Sequence, residues 1–155
     1  VTSRRKRLYW DSCNFISLIS EDEAKRADVC ERILEDAEKG LVQIVTSALT
    51  IAEVVRPKGG PAFTAEKAEK IEAFFYHEYI LVYDVTRGVA EDARNLSLRY
   101  GLKPRDAIHL ATALSAGVEA LQTWNRKDFR PAEDAGIGIE EPKWTGTPQF
   151  PLMDT

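Results

Sequence analysis

The sequence predicts an α/β domain with a mainly parallel sheet of four to five strands flanked by helices. Three observations carry that expectation. Short β-branched or aromatic runs alternate with segments whose apolar residues recur at helical spacing. Cap and turn residues sit at the joints between them. No repeat and no Pro-, Gly- or Ser-rich linker divides the 155 residues, so a single domain over 1–155 is expected. Its core is placed at about 8–141, with a loosely held tail over 142–155.

Residues 8–10 form the first apolar run, which stops at Asp11 and is followed by a second apolar stretch over 14–19. Between 22 and 39, Ala24, Ala27, Val29, Cys30, Ile33, Leu34 and Ala37 mark a helix, and Gly40 stands at its C-cap. Residues 41–46 read as a buried strand and 49–55 as a short helix, ended by Pro57-Lys58-Gly59-Gly60-Pro61. A helix over 65–79 carries Ala68, Ile71, Phe74 and Phe75 on one face, and 80–83 is the third strand. Thr86 caps a helix that runs to Tyr100 and closes at Gly101. Pro104 opens the next in its first turn, where the missing N–H costs nothing. That helix is Ala-, Leu- and Ile-rich nearly all round and should be buried. Residues 117–124 lead into a fourth strand, and 136–139 allow a fifth.

Composition excludes several classes. Hydrophobic residues make up 44% and charged residues 30%, as in a globular protein. The longest uncharged stretch, Gly40 to Ala52, is interrupted by polar residues and falls short of the roughly 20 apolar residues a membrane helix needs. Twenty-one Lys and Arg against 25 Asp and Glu leave a net charge of −4, so any nucleic-acid contact must be local. Cys13 and Cys30 lack metal-ligand spacing and are expected to be small buried hydrophobes in a reducing cytoplasm. The first residues, Val1-Thr2-Ser3, lack a Met, consistent with a trimmed or engineered start, and Arg4-Arg5-Lys6-Arg7 reads as a solvated flank of the first strand.

In parallel α/β sheets the ligand site lies beyond the carboxyl ends of the strands. There stand Asp11 after the first strand, Glu53 in the helix after the second, Asp106 in the first turn of the buried helix, and Asn125 with Asp128 after the fourth. Each acid has a structural explanation when taken singly: Asp11 a turn cap, Thr50 to Glu53 a capping box, Asp106 a partner of the helix dipole, Asp128 an Asx turn. Gathered in one volume they repel one another, and a hard divalent cation relieves that repulsion. Oxygen ligands favour Mg²⁺ or Mn²⁺ over zinc, and such a site suits phosphodiester hydrolysis.

These residues fall in four motifs: Tyr9-Trp10-Asp11-Ser12-Cys13-Asn14-Phe15, Thr46-Ser47-Ala48-Leu49-Thr50-Ile51-Ala52-Glu53-Val54, residues 103–113 around Asp106, and residues 121–129 around Asn125. With them the chain resembles the PIN-domain nucleases, most closely the VapC-like toxins of type II toxin–antitoxin pairs. The resemblance covers roughly residues 8–141 and implies a PIN-like three-layer sandwich. It implies that Asp11, Glu53 and Asp106 are metal-binding acids in a Mg²⁺- or Mn²⁺-dependent ribonuclease. Asn125 stands where many members carry Asp, so Asn125 and Asp128 together occupy the fourth catalytic position, with Asp128 as its metal ligand. The resemblance further implies an RNA substrate, a cognate antitoxin and a homodimer.

Arg56, Lys58, Lys103, Arg105, Arg126 and Lys127, with Arg130, cluster beside the acidic motifs and are expected to hold substrate phosphates. His109 reads as a packed residue with a satisfied ring, and Trp124 as a core residue. Two rival readings stand beside the nuclease. One is a PIN-like scaffold that binds RNA or protein without cutting. The other is a phosphoacceptor receiver domain with Asp84 as acceptor; a receiver expects paired acids at the first strand's end, and Asp11 is followed by Ser12.

Overall fold

A computed structural model describes residues 5–20 and 22–146. Arg4 of the basic run and residues 147–155 of the expected tail lie outside the described residues. The elements follow in the order β1 (Lys6–Trp10), α1 (Ser12–Ile19), α2 (Ala24–Glu38), β2 (Val42–Ser47), α3 (Ala48–Glu53), α4 (Ala65–Phe74), β3 (Ile80–Tyr83), α5 (Arg87–Tyr100), α6 (Pro104–Ser115), β4 (Ala120–Gln122), α7 (Arg126–Phe129), a 3₁₀ turn (Arg130–Ala132) and β5 (Gly138–Glu140). The five strands form one sheet in the order β3-β2-β1-β4-β5, with every pairing parallel.

The period-two alternation of β1 divides the interior. Leu8 and Trp10 face one apolar layer with Phe15, Cys30, Ile33, Ile44 and Ile71, beneath α1, α2 and α4. Tyr9 faces the other, with Val45, Ala107, Leu110, Ala111 and Leu121, beneath α5 and α6. The sheet is therefore covered on both faces, as an all-parallel sheet must be. From β1 the chain winds outward through β2 to β3, then returns to add β4 and β5 on the opposite side. The winding direction thus changes between β1 and β4, and the crevice at their carboxyl ends is where ligands bind in such sheets.

Several boundaries differ from the sequence expectation. The stretch over 14–19 belongs to a helix, because Asp11 caps it by accepting from Cys13 N at 3.2 Å. The capping box at Thr50 is not formed. Ser47 caps α3 by accepting from Leu49 N, and the Thr50 hydroxyl meets Thr46 Oγ1 at 2.8 Å inside the core. The fourth helix ends at Phe74 rather than Tyr79, as short turn bonds from Tyr76 N to Ala73 O and from His77 N to Phe74 O swing the chain into β3. Ile71 is buried there, and Phe74 and Phe75 pack inward, but Ala68 is exposed. β4 ends at Gln122 and β5 starts only at Gly138, after Gly136 with its φ of 115°.

Two surface segments are held more firmly than expected. The Arg7 guanidinium donates to Gln43 Oε1, Tyr83 Oη and Ala116 O, so it pins β1 to its neighbours instead of standing in solvent. Within the expected loose tail, Trp144 donates to Asp36 Oδ2 at 3.1 Å and lies under the Arg32 guanidinium. That clip fastens residues 142–146 to α2. Both cysteines are free; burial pushes the Cys30 thiol up to about 12.

Gln122 connects three strands. Its side chain is buried, accepts from Trp10 Nε1 at 2.9 Å, and donates to Glu140 Oε2 at 2.9 Å. Replacing it with Leu leaves the buried indole N–H without an acceptor, a loss of about 1–3 kcal/mol. Gln122→Leu is expected to lower the urea midpoint accordingly, with an unchanged m-value; an unshifted midpoint would remove Gln122 as a strand connector.

Candidate active site

Asp11 leaves the carboxyl end of β1 and enters the crevice while capping α1. It is 6% exposed, and both of its carboxylate oxygens accept hydrogen bonds. Oδ1 accepts from Cys13 N and from the Cys13 thiol at 2.8 Å, and Oδ2 accepts from Thr123 Oγ1, just beyond β4, at 2.8 Å. Burial pushes its carboxyl above the usual carboxylate range, and the Glu53 charge adds to that; the nearby His109 and these hydrogen bonds oppose it. Asn14, fully buried, donates to Gln122 O at 3.1 Å and so joins the start of α1 to the end of β4.

Glu53 is the last residue of α3 and reaches the same crevice from β2's side of the sheet, where His109 Nε2 lies 2.8 Å from its Oε1. Asp106 sits in the first turn of α6. Burial pushes its carboxyl above the ordinary range, Asp128 and Asp11 push it further, and His109 and Arg105 oppose the shift. Asn125 and Asp128 are joined by the bond from Asp128 N to Asn125 O, and Asn125 N donates to Thr123 Oγ1 at 3.0 Å. Thr123 therefore serves both Asp11 and the fourth motif.

The result is one cavity of about 400 Å³ lined by all five predicted site residues, Asp11, Glu53, Asp106, Asn125 and Asp128. Arg56, Lys58, Lys103 and Arg105 line it too, so basic side chains stand beside the acids as expected. Arg126 departs from that expectation. It lines a separate hollow with Arg130 and Glu133, while Lys127 is exposed and does not line the cavity. The helical turn of α7 turns these two away while keeping Asp128 on the crevice. A hollow of about 440 Å³ between α5 and α6 is as large but offers Asp92 as its sole acid. Asp84 follows β3 at the sheet edge, two strands from Asp11, and does not line the acidic cavity, which removes the geometry of a receiver site.

The donors facing the cavity are mainly carboxylate and amide oxygens, which suit a hard divalent cation. Softer groups are occupied. Both His109 nitrogens have partners, and the Cys13 thiol is held protonated, pushed well above its ordinary value by burial and by Asp11. Among the described residues no three carboxylate, imidazole or thiol groups stand close enough to enclose an ion by themselves. A cation here would complete its shell with water, as Mg²⁺ commonly does. Trp124 is half-buried: its Nε1 donates to Ser17 Oγ, and Arg26 covers its ring at 4.9 Å, so it belongs to the packing rather than the cavity. Sequence reasoning did not identify Thr123, Cys13 or Asn14 as supports of the acids. All three lie inside the motifs that supplied the acids, and that adjacency was the available signal.

Comparison with known proteins bears on the fold and the family. The PIN-domain family model matches residues 8–133, which include every acid of the cavity. A solved toxin–antitoxin complex from Klebsiella pneumoniae contains a chain 28% identical to this one, with a TM-score of 0.62, covering 87% of this chain and 97% of that one. Mycobacterium tuberculosis VapC20, described as a sarcin-ricin loop cleaving toxin, shares the fold at 17% identity with a TM-score of 0.63, over 84% of this chain and 95% of its own. No curated protein sequence matches significantly. With the family match spanning most of its length, on a parallel sheet whose winding reverses beside a cavity lined by four acids, the chain belongs to the PIN-domain family.

Proposed function

We propose that this protein is a divalent-metal-dependent endoribonuclease and the toxin of a toxin–antitoxin pair. The observation that carries the reading is the convergence of Asp11, Glu53, Asp106 and Asp128, from four separate segments, on one cavity rimmed by four basic side chains. The solved relatives support the toxin assignment, one being a toxin–antitoxin complex and the other described as a sarcin-ricin loop cleaving toxin. On this reading Asp11, Glu53, Asp106 and Asp128 hold Mg²⁺ or Mn²⁺, directly or through its waters, and Asn125 orients a water with its amide. A cation held there would supply a lowered pKa for an attacking water and charge stabilisation for the leaving oxygen. Arg56, Lys58, Lys103 and Arg105 hold the flanking phosphates. A cognate antitoxin and a homodimer are the partners, and the cytoplasm the setting. No helix among the described residues is long and apolar enough to cross a membrane.

A PIN-like scaffold that binds without cutting is the second reading. The observation favouring it is the spacing of the acids, no three of which enclose an ion unaided. A cleavage assay on RNA with Mn²⁺ and with chelator separates the two. Asp106→Asn keeps the side-chain shape and removes one charge, so cleavage is expected to fall at least about 100-fold while the fold persists. Divalent-dependent cleavage at the wild-type rate would remove Asp106 from the machinery.

Acidity and metal also bear on stability. Asp11 and Asp106 have raised values in the folded state, so the folded protein binds protons that the unfolded chain has released. Without metal, stability therefore falls as pH rises from about 4 through those raised values. Asp106→Asn should flatten that decline and melt at or above wild type in chelator at neutral pH. Mn²⁺ at a hundredfold excess over Kd should add about 2.7 kcal/mol, or roughly 5–10 °C for a domain this size, with a smaller gain in Asp106→Asn. Equal metal-induced shifts in both proteins would contradict the site.

Substrate contact is read from salt dependence. Each lost phosphate contact lowers the slope of log affinity against log salt by about 0.7 for a single strand. Lys103→Ala with Arg105→Ala is expected to lower it for a non-cleaved RNA analogue, and Arg126→Ala with Lys127→Ala to change it little. The reverse order would place the RNA path on the α7 side.

A further inference from the structure

Glu53 occupies a poor position for a carboxylate. It ends α3, where the backbone carbonyls of a helix terminus disfavour negative charge, and the Asp11 carboxylate shares its cavity. A carboxylate so placed needs a donor to hold its direction. The donor comes from α6: His109 Nε2 lies 2.8 Å from Glu53 Oε1, with the histidine side chain only 3% exposed. The imidazole is itself held from the opposite end, where Tyr9 Oη lies 2.7 Å from Nδ1 and the two rings meet edge-on, their centroids 5.8 Å apart.

The roles in this chain follow from donor and acceptor capacity. An ionised carboxylate only accepts, so Nε2 carries the proton and donates to Glu53. At the other ring nitrogen, Nδ1 and the Tyr9 hydroxyl share a hydrogen bond whose direction follows the protonation of the ring. Tyr9 is fully buried near the carboxyl end of β1, which fixes its hydroxyl against the ring. With both nitrogens engaged, His109 has no lone pair left to accept a proton from an attacking water. The same face of α6 carries Asp106 three residues earlier, so one helix orients one acid directly and a second through its imidazole.

We propose that His109, held in place by Tyr9, is a positioning residue that aims the Glu53 carboxylate into the cavity, leaving Oε2 for the cation or its water. This rests on the metal-dependent nuclease reading. Partners that orient a ligating side chain typically contribute about 10–100-fold to metal affinity or activity.

The experiment compares His109→Gln with His109→Asn. The Gln amide nitrogen reaches the Nε2 position and can still donate to Glu53; the shorter Asn amide reaches only the Nδ1 position and cannot. Both are checked for folding by circular dichroism, then measured for Mn²⁺ affinity by calorimetry and for RNA turnover. His109→Asn is expected to lose about 10–100-fold in both, and His109→Gln to recover most of the loss. In the metal-free protein, ¹⁵N NMR should report a proton on His109 Nε2 in wild type. Equal behaviour of folded Gln and Asn variants, or an Nδ1–H tautomer in wild type, overturns the proposal. Wild-type protein that neither binds Mn²⁺ nor cuts RNA overturns the nuclease reading and the positioning role with it. That outcome is distinct because it appears before any variant is compared.

Discussion

A charged carboxylate buried at the junction of β1 and β4 is the constraint around which the rest is arranged. Asp11 cannot be left unpaired at 6% exposure, because an ionised group removed from water costs several kcal/mol unless it is hydrogen-bonded. Its bonds come from the start of α1 and from Thr123 at the end of β4. The capped helix therefore leaves β1 in a fixed direction, and β4 is held beside β1 by more than its own ladder. Asn14 adds a second bond from α1 to Gln122 O. An acid of the cavity is thus also a joint of the fold.

Further out the same logic recurs with different partners. Thr123 bonds Asp11 through its hydroxyl and receives Asn125 N on the same oxygen, so the fourth motif inherits its position from the first. Tyr9 and His109 do for Glu53 what Cys13 and Thr123 do for Asp11. Polar side chains that support the acids are themselves buried: Tyr9, Asn14, His109 and Thr123 are all at most 2% exposed. Interior polar groups must be satisfied, and each such group here is satisfied by the next, which makes the site rigid before any ligand arrives.

Electrostatics explains why the chain as a whole remains acidic. A net charge of −4 would repel a polyanion at long range, but screening limits that field to about 8–10 Å at physiological salt. Within that distance the cavity presents Arg56, Lys58, Lys103 and Arg105. These come from the loop after α3 and the first turn of α6, the two elements that also deliver Glu53 and Asp106. Placing base and acid on the same short segments keeps their separation fixed.

Residues readable without the tertiary structure were those whose role is set by their neighbours in the chain. Thr86, Pro104 and Gly101 define helix ends through local backbone chemistry, and α5 and the start of α6 lie where that chemistry placed them. The five cavity residues were also legible, because a parallel sheet sends every strand's carboxyl end to one edge and the motifs mark those ends. Other features depended on groups distant in sequence. Thr50 abandons its capping role because Thr46 meets its hydroxyl in the core. Residues 142–146 are fastened because Asp36, 108 positions from Trp144, accepts its indole N–H. Arg126 and Lys127 leave the cavity because the turn of α7 sets their direction, although their neighbour Asp128 stays. Local propensity acts over a few residues, so it determined caps, periods and strand ends. Which hydroxyl, imidazole or guanidinium reaches which acid is decided only when separate segments meet, and there the cost of an unpaired buried group selects the answer.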